Sequence, residues 1–282
     1  MVPAKPFLKA NQSLRFHKAR ILNNSFLLPA SGRPIDLAIT RQNSFDARMH
    51  PILEHNRRAW DERVRQRRRH TRIVTDKELA DPLRAVDSDG WLGGDITGKR
   101  VLCLAAGGGL QSILYAAAGG CVTVVDLSEE MLELDRQVAA ERGVQVTPVR
   151  ASMDDLSALG DAIFDIVIQP VSTCYVPHVS LVYLEIARLM ETGGLYISQH
   201  KQPISLQTAA LPSPEGYTIS ESYYRTEALP DAGPGLSHRE SGTMEFIHRW
   251  SQLIGDLCHA GFAIEDLTEP EHFNPVAQRG TA

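Results

Sequence analysis

The sequence is short of cysteine, and the four it has (Cys103, Cys121, Cys174 and Cys258) stand singly, with no CxxC and no paired spacing. That excludes a disulfide framework and a thiolate zinc site, and it predicts reduced, buried thiols in a cytoplasmic protein. No run approaches the roughly 18 apolar residues of a membrane span. The continuous apolar core of a secretory leader is missing too, because Asn23-Asn24-Ser25 separates Ile21-Leu22 from Phe26-Leu27-Leu28. Internal repeats are absent. Acid is absent from residues 1–35, which carry Lys5, Lys9, Arg15, Lys18, Arg20 and Arg33 but no Asp or Glu.

At 282 residues, 43% hydrophobic and 22% charged, the chain has ordinary globular composition, which excludes wholesale disorder and a fibrous protein. The formal charge of −5 hides a split. Residues 1–72 hold 16 basic and five acidic side chains, a net of +11, and residues 73–282 hold 13 and 29, a net of −16. A basic arm on an acidic body is the simplest reading. The arm resembles a transit peptide, a nucleic-acid arm or an upstream extension. The arginine run 63–72 has no interleaved aromatics and no groove-reading motif, so it predicts a solvated helix face or a guide for anions, with the acidic body arguing against nucleic acid as partner.

Periodic structure begins near Met49, and residues 51–69 predict a helix whose arginines cannot share one face. Thr75 or Asp76 predicts the cap of a second helix running to Val86. From Lys99 the pattern becomes strands alternating with amphipathic helices: strands near 100–105, 122–125, 144–149, 164–168, 195–198 and 262–267, and helices near 110–118, 128–142, 179–190 and 243–260. Apolar strands spaced by helices imply parallel pairing with both faces covered, an α/β doubly wound sheet. Residues 201–240 break the rhythm with five prolines and predict a lid or substrate insertion.

The chemistry lies first in Val101-Leu102-Cys103-Leu104-Ala105-Ala106-Gly107-Gly108-Gly109, with Asp126 seventeen residues beyond Gly109. A glycine turn ending the first parallel strand lets backbone approach a ligand, and the next helix offers N-terminal amides. An acid ending the second strand is placed to accept both hydroxyls of a ribose. Together these imply an adenosine-containing cofactor without saying which. A NAD(P)-dependent oxidoreductase wants a third glycine where Ser112 stands.

The ordered set that follows narrows the choice. Phe164–Gln169, then Arg188-Leu189-Met190-Glu191-Thr192-Gly193-Gly194-Leu195-Tyr196-Ile197, then Gly261–Pro270 resembles the class I S-adenosylmethionine-dependent methyltransferases over residues 50–270. The variant Leu102–Gln111 and Gln169-Pro170-Val171-Ser172, with Asn56 and Trp60-Asp61 ahead of the core, is similar to a bacterial small-molecule subgroup. The resemblance implies a Rossmann-like fold with an N-terminal helical cap, S-adenosyl-L-methionine as cofactor, and a small-molecule methyl acceptor. It implies a methyltransferase domain over 49–282, while charge and composition mark residues 1–48 as a basic extension, either poorly ordered or ordered. Within that domain fall a cap (49–98), a cofactor-binding core (99–200), the insertion (201–240) and a C-terminal helix and strand (241–282).

Roles follow position by position as the resemblance implies them. Ala105, Gly107 and Gly109 lie against the methionine portion, with Gln111 beside them. Asp126 binds the ribose, Leu127 and Met131 pack on the adenine, and Trp60 forms a lid. Ser152, Met153 and Asp154 meet the adenine edge, and Gln169 faces the methionine amino group and the methyl. The family's first-strand acid is Cys103 here, its first glycine is Ala105, and its adenine-binding acid is Ser152 with Asp154 two positions on. No Asn/Asp-Pro-Pro-Tyr follows the fourth strand, which argues against methylation of adenine, cytosine or glutamine nitrogens. A general base is needed only where the acceptor must lose a proton. His200, at the carboxyl end of the fifth strand, is the candidate, against a competing reading as a loop histidine bonded to backbone. His178 is expected to cap a helix, His248 to orient one, and Tyr217, Tyr223 and Tyr224 to line the acceptor pocket or pack the insertion. The family normally ends with a seventh, antiparallel strand between the fifth and sixth. The chain after Pro270 has little strand character, so a six-stranded sheet or a replacement strand, from Ile35–Thr40, is expected.

Overall fold

The computed structural model describes residues 15–22, 45–160, 163–209, 216–233 and 239–269. Seven strands form one sheet: β1 (Arg15–Ile21), β2 (Arg100–Leu104), β3 (Cys121–Asp126), β4 (Val146–Arg150), β5 (Phe164–Gln169), β6 (Met190–His200) and β7 (Phe262–Thr268). Their order is β4-β3-β2-β5-β6-β1-β7. The pairs among β2, β3, β4, β5 and β6 are parallel, and β1 runs antiparallel to both of its neighbours. The helices are α1 (Phe45–Arg65), α2 (Asp76–Leu79), α3 (Pro82–Val86), α4 (Gln111–Ala117), α5 (Glu129–Arg142), α6 (Val179–Leu189), α7 (Pro203–Gln207) and α8 (Leu257–His259).

Side-chain parity builds the two layers. Along β2, Leu102 and Leu104 face one way, into a core with Val167, Val182, Tyr183 and Ile186. Val101 and Cys103 face the other way, into a core with Val124, Ile168, Tyr115 and Leu132. Strands buried on both faces are what a parallel sheet between helical layers requires. No helix among the described residues is long and apolar enough to cross a membrane.

The lane expected for a C-terminal strand is filled from the other end of the chain. Arg15–Ile21 lies between β6 and β7, in the lane where the antiparallel strand was expected. The alternative source, Ile35–Thr40, lies outside the described residues. The segment serves as a strand because it alternates: Ala19 and Ile21 are fully buried against Tyr196, Leu253 and Phe262. On its other face Lys18 and Arg20 pair with Glu265, and Arg20 donates to the Gly193 carbonyl at 3.0 Å. The boundary near residue 48 is therefore corrected, since part of the basic leader is structural.

Buried polar groups dock the cap. The Asn56 amide donates to the carbonyls of Tyr175 and Met244, both at 3.1 Å, and its oxygen accepts the Met244 amide at 2.7 Å. Asp61 accepts from Ser128 Oγ at 2.6 Å, and Ser128 in turn caps α5. Thr75 caps α2 with a capping box, and Asp81-Pro82 splits the predicted second helix into α2 and α3. The helix predicted over 243–260 is shorter. Met244 and Phe246 give their amides to Asn56 and to the Cys174 carbonyl, and Glu245 gives its carbonyl to the Leu229 amide, so no helical ladder forms there. Helical turns begin at Trp250, with a π-helical stretch Ser251–Asp256 leading into α8. Of the four thiols, Cys121 and Cys258 are exposed, contrary to the expectation of four buried ones.

Candidate active site

A cavity of about 710 Å³ opens at the carboxyl ends of β2 to β5, the edge where open α/β sheets bind ligands. It falls within the roughly 300–1,000 Å³ of small-molecule sites. Nine of the residues expected at the site line it: Trp60, Ala105, Gly107, Gln111, Asp126, Leu127, Met131, Ser152 and Met153.

The glycine turn is shaped by close approach and by a buried acid. A Cβ on Gly107 would stand 2.9 Å from the Met131 Cβ and 3.1 Å from Asp126, so only glycine fits. Ala105, at the family's first glycine position, has a φ of 49°, a left-handed backbone that costs a residue with a Cβ about 1–2 kcal/mol. Asp126 accepts the Gly107 amide at 3.1 Å and the Ser128 amide at 2.9 Å. Burial raises its carboxyl to about 6, against those two amides, which favour the charge.

Beneath the turn sits Asp135, a fully buried residue of α5. It accepts the Gly108 amide at 2.9 Å, the Gly109 amide at 3.1 Å and the Ser112 hydroxyl. The missing first-strand acid, Cys103, is thus answered by an acid on a neighbouring helix. Ser112, which breaks the dinucleotide fingerprint, is that acid's partner. Asp135→Asn keeps one acceptor and turns an NH₂ toward a donor, so a loss of about 1–3 kcal/mol is expected in urea unfolding.

Four expected site residues lie outside the main cavity, and each has a physical reason. The Gly109 amide is held by Asp135. Asp154 stands behind Ser152 and accepts its hydroxyl proton, which leaves the Ser152 oxygen to accept a hydrogen bond from the cavity. Gln169 is fully buried, with Oε1 taken by Tyr196 OH at 2.5 Å and Nε2 by Ser172 Oγ at 3.0 Å; it borders only a smaller cavity of about 170 Å³. His200 is fully buried between Thr173 Oγ1 and Ser198 Oγ, each 2.9 Å from a ring nitrogen. The candidate base is corrected to a structural histidine. Its sequence neighbours, Gln199 in the strand and Lys201 just past its end, line the cavity instead.

Other expectations resolve similarly. His178 precedes α6 without a side-chain capping bond. His248 gives Nε2 to the Thr173 carbonyl at 2.9 Å, and burial lowers it to about 4. Tyr223 OH accepts the Trp250 amide and Tyr224 stacks under Arg249, so this pair packs the insertion. Arg65 pairs with Glu130 of the acidic body, whereas Arg69 and Arg72 line the cavity.

The part of the site that sequence reasoning missed is a buried ionic cluster. Lys201 Nζ lies 2.5 Å from both Glu240 Oε2 and Glu245 Oε1, and Arg239 Nε lies 2.5 Å from Glu245 Oε2. Tyr175 OH donates to Glu240 Oε2 at 2.7 Å, and His70 Nε2 lies 3.5 Å from Glu240 Oε1. Burial opposes charge on Glu240, yet hydrogen bonding from His70 and the Lys201 ammonium hold it well below the usual carboxylate range. Trp60 and Tyr175 meet edge to face, with ring centres 5.6 Å apart, and give the cavity an aromatic wall.

Comparison with known proteins places this geometry among relatives. Residues 102–198 match the methyltransferase domain family. The chain is 32% identical over 235 residues to an uncharacterized methyltransferase, YbaJ, of Bacillus subtilis, covering 78% of this chain and 91% of that protein. It is 35% identical over 176 residues to the ubiquinone biosynthesis O-methyltransferase of Xanthomonas euvesicatoria, spanning 62% of this chain and 66% of that protein. Its fold is similar to the crystal structure of an S-adenosylmethionine-dependent methyltransferase from Mesorhizobium loti, with a TM-score of 0.51, 22% identity, and 63% and 82% of the two chains covered.

Proposed function

The chain belongs to the class I S-adenosylmethionine-dependent methyltransferases, and from that premise we propose that its cavity binds S-adenosylmethionine along β2, β3 and β4 and a small-molecule acceptor beneath the insertion. The observation that carries this reading is Asp126 ending β3 in the cavity wall, beside a glycine turn with no room for a Cβ. The remaining groups fit the same ligand. Gln111 lines the cavity, and its Oε1 is a buried oxygen with no donor among the described residues, suited to an ammonium group. Ser152 offers an acceptor at the far end. The Xanthomonas relative is named for O-methylation in ubiquinone biosynthesis, which supports a small-molecule acceptor for this chain as well.

The bound cofactor supplies a methyl group on an already activated sulfonium. The protein's part is to hold the acceptor in line and to exclude water. Trp60 lines one side of the cavity, and Tyr175 lies beside Lys201 and Glu240, the two residues at the ends of the insertion, at its acceptor end.

Calorimetric titration with S-adenosylhomocysteine tests the reading. Asp126→Ala is expected to weaken binding about 100-fold, since two hydrogen bonds to a charged acceptor contribute about 3 kcal/mol. Binding also falls as pH drops through about 6, because ribose hydroxyls donate and a protonated Asp126 accepts poorly. The stability of the unliganded protein moves the other way at this group. A carboxyl raised above its ordinary value stabilises the fold at low pH and loses that contribution as pH rises through about 6. A wild-type protein that ignores S-adenosylhomocysteine at neutral pH overturns the reading.

A further inference from the structure

We propose that His70, oriented by Glu240, takes a proton from the acceptor, and that the acceptor is a small molecule bearing an ionisable hydroxyl of the phenol class. The inference rests on the methyl-transfer reading above and adds the acceptor's chemistry to it.

The backbone puts His70 where a base is useful. The turn after α1 is pinned by the Arg68 amide on the Arg63 carbonyl and by the Thr71 amide and hydroxyl on the Arg68 carbonyl. It leaves His70 with a φ of 70°, in the left-handed region that few residues with a Cβ occupy. The His70 carbonyl comes down on the glycine turn, 3.6 Å from where a Gly108 Cβ would stand. His70 therefore sits over the cofactor loop while its ring reaches toward the insertion. The side chain is 37% exposed and lines the cavity.

Glu240 assigns the two ring nitrogens. Its Oε2 is taken by Lys201 and Tyr175, and its Oε1 faces His70 Nε2. No other group among the described residues bonds the His70 ring, so Nδ1 is left for the cavity. A carboxylate on one nitrogen fixes the ring's orientation and stabilises the imidazolium formed when the other nitrogen takes a proton. The other cavity groups do not serve. Tyr175 donates to Glu240 and burial drives its phenol well above the ordinary value. Lys201 is held as an ammonium between two carboxylates, Arg69 and Arg72 are cations, and Asp126 is committed to the glycine turn.

A base of this kind selects its acceptor. A neutral amine already offers a lone pair, and a thiol ionises near neutrality, whereas a phenol with a pKa of about 10 keeps its proton. Trp60 and Tyr175, set at 82° to each other, add aromatic surface to this end of the cavity, with the Lys201 ammonium over the Tyr175 ring. In the step, the acceptor oxygen gives its proton to His70 Nδ1 and its lone pair to the methyl carbon. The carbon–sulfur bond breaks with its electron pair on sulfur, and His70 later releases the proton to water.

The test uses the S-adenosylhomocysteine complex and 4-nitrophenol, whose phenolate absorbs visibly. Binding is followed by equilibrium dialysis and ionisation by absorbance, in wild type and in His70→Asn, since asparagine tolerates the left-handed turn. The expected result is that the bound probe's phenolate-to-phenol ratio at pH 6 rises about tenfold over the free probe in wild type. In His70→Asn it returns to the free value, with S-adenosylhomocysteine affinity unchanged within twofold. A wild type that binds S-adenosylhomocysteine but not the probe overturns the inference and leaves methyl transfer intact. So does equal ionisation in the two proteins, which would assign the effect to Arg69 and Arg72, or a variant that loses S-adenosylhomocysteine, which would make His70 structural. Absence of S-adenosylhomocysteine binding in the wild type fails the functional reading itself.

Discussion

Removal of residues 1–22 is expected to abolish cooperative folding. Strand β1 fills the lane between β6 and β7, each neighbour pairing with it at six positions. Strands lie about 4.8 Å apart, so losing one leaves β6 and β7 nearly 10 Å from each other, too far to bond directly. Each buried backbone group left without a partner costs about 1–3 kcal/mol. The lost burial of Ile21 alone adds about 2 kcal/mol. Half a dozen such groups cost about 6–18 kcal/mol, the scale of the roughly 5–15 kcal/mol that holds a domain together. Far-ultraviolet circular dichroism should show a broad, non-cooperative melt, and a peptide of residues 11–24 added in excess should restore the transition. Ala19→Asp is the milder form of the same experiment, since it puts a carboxylate into a fully buried site beside Tyr196 and Ile264. A truncated protein melting within a few degrees of the full chain would show that β1 contributes little.

How far this strand was legible depends on what its residues do. The lack of strand character after Pro270 left two outcomes open, a six-stranded sheet or a substitute strand, and the lane holds a substitute, which spares two strand edges from going unpaired. The substitute itself was hidden. Arg15–Ile21 reads Arg-Phe-His-Lys-Ala-Arg-Ile, and its basic residues resemble a solvated arm until Glu265 and the Gly193 carbonyl are known to face Lys18 and Arg20. The parallel core was readable because each strand there is a continuous apolar run, a signal that needs no knowledge of the neighbours.

The site divides the same way. The placement of Asp126 and the glycine turn in the cavity wall was legible because it follows from local backbone: a strand end, a tight turn and a helix start. Gln169 and His200 were misplaced by one-residue parity. Successive residues of an extended chain face opposite ways, and Gln199 and Lys201 took the cavity side while His200 took the core. The cluster of Lys201, Glu240 and Glu245 left no trace in the sequence. Its members are 39 and 44 residues apart, across a proline-rich insertion with no periodicity to register one against another. His70 was obscured by the arginines before it.

Lys201→Met is expected to cost about 3–5 kcal/mol, the penalty for stripping one partner from a buried ion pair. The cluster is balanced as it stands, with Lys201 and Arg239 set against Glu240 and Glu245. Without Lys201, Arg239 still serves Glu245, while Glu240 keeps only Tyr175 and His70 and becomes the buried charge without a full countercharge. Adding Glu240→Gln removes that charge, so the double variant should recover about half of the loss. Two independent effects would instead add, and a double-mutant cycle in urea distinguishes the outcomes. The pH dependence has a definite sign. In the wild type, Glu240 is held below the usual carboxylate range, so its contribution is full above the unfolded pKa and is lost only as pH falls through the lower folded value. In Lys201→Met the same carboxyl is buried without its ammonium and takes up a proton at higher pH than before. The stability gap between wild type and variant should therefore narrow from pH 7 to pH 5. A gap that stays constant across that range would mean that Lys201 acts through packing of its stem rather than through the charge of Glu240.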